Sequence, residues 1–581
     1  MPVGTCYKVA AMANEGSGSG SAAARIAPAL AAACLLLLLL WNLGGAPLLE
    51  PDEGRYAEIP REMLASGDLV TPHLNGVIYF EKPPLHYWLT AAAMRAFGPS
   101  EFSARLWSAL FGLGGLAIAW GVGRSIGGRR AGFLAAAALG TSPLWIAIGR
   151  LATLDMTVTF FLTATLACFW TAAEVARGRR ATLAWHGMFA AAALAVLAKG
   201  LIGVLIPGAV VFLFLLATRS WRVLLRVPWA TGVALFLAIA APWHALAAAR
   251  NPDFLWFYFV HEHLLRYATP VAERQEPFWF FLGVVALGCA PWSGLFPSAA
   301  RLIPWQRLRE VRDHHRTETF LLIWAAFVVL FFSVSQSKLI PYVLPALPPL
   351  AVLVGVLADR LWDGRLAPSR LESGGIAVGG VLAALYGATF VWAGLGRVHR
   401  LGLGGVITPG LVVPGILVIG ASLAAAALGF GTDWRRRAPA LFAAGCCVGA
   451  SLQIVGPLVA RERSSKELAA RIEAEARAGD LVLTHRCFPE SLPVYLGRTV
   501  GVAAYEGELA FGISHLGRDE RAARFPTAAE FRALWASDRR VLAVGEARSW
   551  SRRLEEDGIN HARLLWEGEG LVLVSNDRSL Q

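Results

Sequence analysis

Between two apolar runs, the stretch 49–97 opens LEPDEGRYAEIPREMLASGDLVTPHLNGVIYFEKPPLHYW. It gathers Glu50, Asp52, Glu53, Arg55, Glu58, Arg61, Glu62, Asp68, His73, Glu81, Lys82 and His86. Carboxylates at that density can act as general bases, orient a cationic group or share a metal, and Lys and Arg beside them can meet the charge of a phosphate. The competing reading is an amphipathic interfacial segment whose charges only face water. Further along, Asp155 follows the turn GRLATLD and Lys199 interrupts the run ALAVLAKGLIG. WFYFVHEHLLRYATP supplies His261, Glu262, His263 and Arg266, and VSQSKLIPYVLPALPPL supplies Lys338 and Tyr342. Asp155 also suits a helix cap, Lys199 a snorkelling helix end, and any of these cations a lipid headgroup. A loop histidine with a carboxylate is a plausible divalent-metal pair, to which Glu81 could add another oxygen ligand, but two histidines two residues apart do not share one helical face.

The elements that must hold these groups follow from local signals. Asp52 can cap a first helix, since Pro51 disfavours helix before it and Ile59, Met63 and Leu64 repeat at near-helical spacing. That helix is expected to lie on the bilayer surface. Gly67, Pro72 and the Asn75-Gly76 turn break the chain, and Pro83-Pro84 suit the first turn of a second helix through Leu85, Trp88, Leu89 and Ala92. Glu81 and Lys82 stand at its entrance.

Composition sets the context. The chain has 581 residues, is 56% hydrophobic and only 16% charged, and its mean hydropathy is +0.52. That is too apolar for a soluble protein and implies a polytopic helical membrane protein. Residues 1–25 are small and polar and are expected to form a disordered cytoplasmic tail, followed by a retained anchor over 26–45. Further apolar spans are expected near 102–123, 131–149, 154–176, 181–198, 201–217, 227–248, 277–299, 318–335, 339–358, 375–394, 406–430 and 438–459, about thirteen in all. The net charge of +12 is no nucleic-acid signal, because its arginines cluster between spans. With the N-terminus in the cytoplasm every inside loop is basic, from Arg124, Arg129 and Arg130 to Arg435, Arg436 and Arg437, as the positive-inside rule requires. The candidate chemistry then falls outside.

After about residue 460 the composition becomes that of a soluble domain. KELAARIEAEARAG reads as a helix, DLVLTH as a strand, TAAEFRALWAS as a helix, RRVLAVGE as a strand and ARLLWEGEGLVLVSN as a closing hairpin, a small α/β domain over 461–581. The seven cysteines lie singly or in spans and imply neither a disulfide framework nor a thiolate metal site.

PDEGRYAEIPREM, then YFEKPPLHYW, GRLATLDM, FVHEHLLRY and SKLIPYVLPALPPL occur in an order and topology that resemble the ArnT family of lipid-linked-sugar transferases, related to protein O-mannosyltransferases. The resemblance covers about 25–460. It implies a GT-C fold with periplasmic juxtamembrane helices in the loop 46–101, a membrane domain over 26–460, and a bacterial inner-membrane enzyme with its site facing the periplasm. It further implies transfer of 4-amino-4-deoxy-L-arabinose from undecaprenyl phosphate to lipid A phosphate, with no nucleic-acid partner. By motif it carries over Asp52, Lys82 and Asp155 as catalytic residues, and Arg55, Tyr56, Tyr79, Glu81, His86, Lys199, Lys338 and Tyr342 as substrate-binding ones. A divalent metal would engage Glu81 and His263, the histidine of the EHxxRY pattern. Two alternatives stay open: another polyprenyl-phosphate-sugar transferase, acting on protein or with galacturonic acid, and a lipid-linked-sugar transporter. The transporter fits less well because the ionisable residues gather at one mouth and no internal repeat is visible.

Overall fold

The computed structural model describes residues 22–265, 267, 275–395, 409–429, 431, 433–559, 561–568 and 570–577. Residues 1–21 of the expected tail, the side chain of His263, and Arg266 lie outside these. Helix begins already at Ala22, inside the expected tail, where the run AAAR has high intrinsic helix propensity.

Among the described residues nine helices are long and apolar enough to cross a membrane, and eleven if each of two bent pairs is one span. Two more apolar helices, Ile26–Leu40 and Ile202–Thr218, are shorter, so length and composition do not establish the expected count of thirteen. Several spans run between two chemically distinct ends. The Leu154–Trp170 helix starts beside Asp155, and its π-helical continuation Thr171–Val175 ends where Glu174 pairs with Arg316 at 2.7 Å. The Arg316–Val334 helix leads back to Ser335, and Leu347–Trp362 returns to Asp359 and Arg360. At that second end Arg130 pairs with Asp359 at 2.9 Å and Arg360 with Glu318 at 2.6 Å, so many of the loop arginines hold helix ends together.

The first loop folds as the helix Asp52–Ser66, the two-residue strands β1 (His73–Leu74) and β2 (Val77–Ile78), and the helix Leu85–Phe97. Asn75 and Gly76 join the strands with φ of 50° and 72°, the left-handed pair that a tight hairpin turn needs. The competing reading, an interfacial segment whose charges only face water, is overturned. Most of the fifteen residues of Asp52–Ser66 are buried, Glu53, Arg55, Glu58 and Glu62 among them. The reason is a second layer: the C-terminal domain closes over the helix.

That domain holds β3 (Leu481–His485), β4 (Gly501–Ala503), β5 (Val541–Glu546), β6 (Arg563–Gly568) and β7 (Leu571–Ser575) in the order β4-β3-β5-β7-β6. β3 runs parallel to β4 and β5, and β6 and β7 form the closing hairpin. The central strands β3, β5 and β7 are apolar on both sides because both faces are covered. Leu483, Ala543 and Val572 pack on Phe531 and Trp535, whereas Val482, Leu542 and Leu573 pack on Leu468 and Ile472. A further core is shared between domains: Tyr56, Ile59, Met63, Tyr79 and Tyr87 of the first loop pack with Val502, Leu509, Ile513 and Phe525.

Candidate functional site

Glu53 fixes the first loop to the membrane domain. Its carboxylate, 2% exposed, accepts two hydrogen bonds from Arg105 at 2.7 and 2.6 Å, one from the Leu49 amide at 2.9 Å and one from the Ala152 amide at 2.7 Å. A buried carboxylate with four donors, one pair of them a guanidinium fork, is fully compensated. It ties the residue next to Asp52 to the turn that leads into Asp155. Asp52 itself is not the helix cap that the sequence suggested, since no side chain caps this helix. It occupies the first turn, where the helix dipole favours an anion, with its side chain 56% exposed and 3.4 Å from Arg55 Nη1.

At the same end of the spans lies a cavity of about 100 Å³ walled by Glu81, Lys82, Lys199, Glu262, Ser335 and Tyr342, among others. Lys199 donates to Asp155 Oδ1 and its ammonium sits 4.7 Å from the Tyr342 ring centre. Asp155 is therefore an ion-pair partner rather than a cap, and Lys199 turns inward rather than snorkelling. Lys82 donates to the Glu81 carbonyl at 2.8 Å and to Glu262 Oε2 at 3.2 Å. Each cation on the wall has a carboxylate beside it, so neither is a bare buried charge.

Tyr56 stands one helical turn after Asp52 on the same helix. Burial pushes its hydroxyl pKa well up, and the Asp52 and Asp155 carboxylates both add to the shift. The His86 ring meets Tyr56 edge-on at 5.8 Å, and its Nδ1 is 3.0 Å from Thr157 Oγ1. Burial lowers His86 to about 4, which keeps it neutral. Tyr79 is buried and its hydroxyl has no hydrogen-bond partner among the described residues; burial raises its pKa well above the usual value.

The structure does not gather every expected residue on the cavity wall. Arg55 points to the C-terminal domain, 3.1 Å from Glu490 and 2.5 Å from Glu508. Lys338 donates to the Ser335 carbonyl at 2.7 Å; Ser335 and Ser337, rather than Lys338, line the cavity. For the proposed metal, Glu81 stands beside Lys82 at 3.8 Å and His263 lies outside the described side chains. Among the described residues no three His, Cys, Asp or Glu side chains gather as metal ligands.

Glu53, Glu490 and Glu508 were absent from the expected site. Glu53 carried a signal, as one of the charges flanking Asp52. Glu490 carried none, because it meets Arg55 across 435 residues of sequence from a segment that reads as an ordinary loop.

Residues 81–246 match the family model described as dolichyl-phosphate-mannose-protein mannosyltransferase, and 468–576 the one described as aminoarabinose transferase C-terminal domain. The undecaprenyl phosphate-alpha-4-amino-4-deoxy-L-arabinose arabinosyl transferase of Pseudomonas paraeruginosa is 36% identical over 313 residues, 54% of this chain and 56% of that one. A Sodalis glossinidius transferase of the same name is 35% identical over 369 residues, 62% and 64%. The chain thus spans a little over half the length of the curated relatives it matches. Across the whole fold it superposes on ArnT from Cupriavidus metallidurans bound to undecaprenyl phosphate with a TM-score of 0.81 and 30% identity, covering 96% of this chain and 99% of that one. The apo form gives 0.80.

Fold and site together define a polytopic membrane protein of the GT-C superfamily with a C-terminal sheet domain. Within it, the chain belongs to the ArnT family of undecaprenyl phosphate-aminoarabinose arabinosyl transferases.

Proposed function

We propose that this chain transfers 4-amino-4-deoxy-L-arabinose from undecaprenyl phosphate to a lipid A phosphate on the periplasmic face of the bacterial inner membrane. The observation that carries the reading is the cavity at one end of the spans, whose wall includes Lys82 and Lys199, each paired with a carboxylate, together with Glu81, Glu262 and Tyr342. Its support is the whole-chain likeness to an ArnT bound to undecaprenyl phosphate. The grouping of arginines at the opposite span ends agrees with that end lying in the cytoplasm.

In this reaction the bond from the anomeric carbon to the donor phosphate breaks and its electron pair leaves with undecaprenyl phosphate. An acceptor phosphate oxygen forms the new bond by direct displacement, with inversion. Charge grows on the departing phosphate, and Lys82 and Lys199 are the cations placed to meet it in a partly dry cavity, where such groups act more strongly than in water. Asp155, the partner of Lys199, holds that ammonium in place at the cavity. The acceptor is already ionised and needs no base, so Asp52 serves to orient the aminosugar, whose ammonium also suits Glu81 and Glu262.

Mass spectrometry of lipid A from cells with and without the chain tests this. A pentosamine-sized addition that requires the chain and is lost in Asp52→Asn and Lys199→Gln variants of normal abundance is expected. Unmodified lipid A in the presence of the intact chain overturns the acceptor assignment. The match of 81–246 to the mannosyltransferase model favours protein as the second acceptor, read out by glycan release from envelope proteins of the same cells.

A further inference from the structure

Arg55 stands one helical turn after Asp52, yet its guanidinium is divided. Nη1 makes a single long contact to Asp52 Oδ1, 3.4 Å, while Nη2 meets Glu490 Oε1 at 3.1 Å and Glu508 Oε2 at 2.5 Å. An arginine this close to a carboxylate ordinarily closes on it with two parallel hydrogen bonds. Here the fork is drawn away and Asp52 keeps a largely exposed carboxylate. The pull comes from a fixed point. Glu50 accepts from the Glu490 amide at 2.8 Å and the Ser491 amide at 2.9 Å, so the chain that carries Glu490 is itself held by the first loop. Arg55 and Glu490 side chains are 6% and 7% exposed, which leaves neither room to swing.

We propose that Glu490, with Glu508, is a positioning residue for the transfer reaction: the C-terminal domain holds Arg55 back from Asp52 and so sets the orientation and availability of the Asp52 carboxylate. The inference rests on the assignment of Asp52 to the reaction made above. It gives the sheet domain a part in the site without placing any of its residues on the substrate. Burial, reinforced by Glu508 and Glu50, pushes the Glu490 carboxyl well above the usual carboxylate range. A glutamine there then reproduces both the shape and the acceptor oxygen that Arg55 uses.

The test is steady-state transfer by the full-length chain in detergent or liposomes, with donor concentration varied. Glu490→Ala is expected to lower kcat about 100-fold, the scale of a misplaced reacting group, with donor KM little changed. Glu490→Gln is expected to retain most of the activity. In an Arg55→Lys background, where a point charge can no longer bridge Asp52 and Glu490, Glu490→Ala should add little, because residues acting through one contact are not additive. Wild-type kcat in a folded Glu490→Ala protein overturns the inference, as does an equal loss in both backgrounds. Should Glu490→Ala fail to fold, Glu490→Asp, which retracts the carboxylate by one methylene, carries the same expectation. Full activity in Asp52→Asn removes the assignment of Asp52 and this inference with it. An inactive Asp52→Asn beside a fully active Glu490→Ala removes the inference alone.

Discussion

His86 is fully buried, and its Nε2 has no hydrogen-bond partner among the described residues. Desolvation lowers its pKa from 6.5 to about 4, against the opposing pull of Asp155. In the unfolded chain the same ring takes a proton near 6.5, so the unfolded state gains protons that the folded state refuses as pH falls from 6.5 to about 4. Stability from this group is complete above that window and is lost across it, on the order of 3 kcal/mol in all. Glu62 acts in the opposite sense: burial and Glu58 raise it from 4.5 to about 8, so its effect on stability worsens as pH rises through that range. The difference between wild type and His86→Gln therefore isolates the histidine. The melting temperature of the wild type is expected to fall more steeply than that of the variant between pH 6.5 and 4, and parallel curves would count against a neutral His86. The identities of such residues could be read from sequence, because Lys199 interrupts an apolar run, Asp155 stands at the mouth of one, and Lys82 belongs to a dense charged loop between two, where charge needs a reason. Their pairings could not, since Asp155 and Lys199 lie 44 residues apart on different helices.

The first-loop helix is held between two layers, and Gly54 is where the fit is tightest. A Cβ there would come within 2.3 Å of the Ser491 amide nitrogen and 2.5 Å of the Glu490 carbonyl carbon. Both are backbone atoms and cannot rotate aside. Alanine is the better helix former by about 1 kcal/mol, yet the wedge it drives under the C-terminal domain costs about 1–3 kcal/mol. Gly54→Ala is thus expected to lower the melting temperature and reduce transfer, while Gly121→Ala, which meets nothing within 4 Å, leaves both near wild type. No destabilisation in Gly54→Ala would mean the two layers are not in close contact. The helix boundaries of this loop were legible from Pro51, Gly67 and Pro83-Pro84 because turn and breaker residues act locally. Its burial was not. Glu53, Arg55 and Glu58 looked like a water-facing stripe, and only partners far along the chain, Arg105 for Glu53 and Glu490 for Arg55, reveal that they are inside.

On the scale of the molecule, the membrane domain supplies the cavity and the C-terminal domain supplies the lid of the loop beside it. The strands of that domain could be read from their apolar runs, and its docking could not, because the contacts are scattered single residues. Asn75 exchanges hydrogen bonds with the Val500 backbone at 2.9 and 2.8 Å, Arg524 donates to the Asn75 carbonyl at 2.6 Å, and Ser465 donates to Glu50 at 2.9 Å. A chain ended after Arg461 loses all of these, four of the twelve buried residues of the shared core around Tyr56 and Tyr87, and both carboxylates that draw Arg55 from Asp52. The spans keep their own packing and their ion pairs at the other end, so insertion into the membrane is expected to survive. The hairpin of β1 and β2 then has only two residue pairs and an exposed apolar face, too little to stay folded in water. Limited proteolysis of membranes containing the shortened chain is expected to cut within 67–79, where the intact chain resists, and lipid A from those cells is expected to lack the sugar. Cells in which the shortened chain still modifies lipid A would show that the first loop orders itself and that the C-terminal domain serves another purpose.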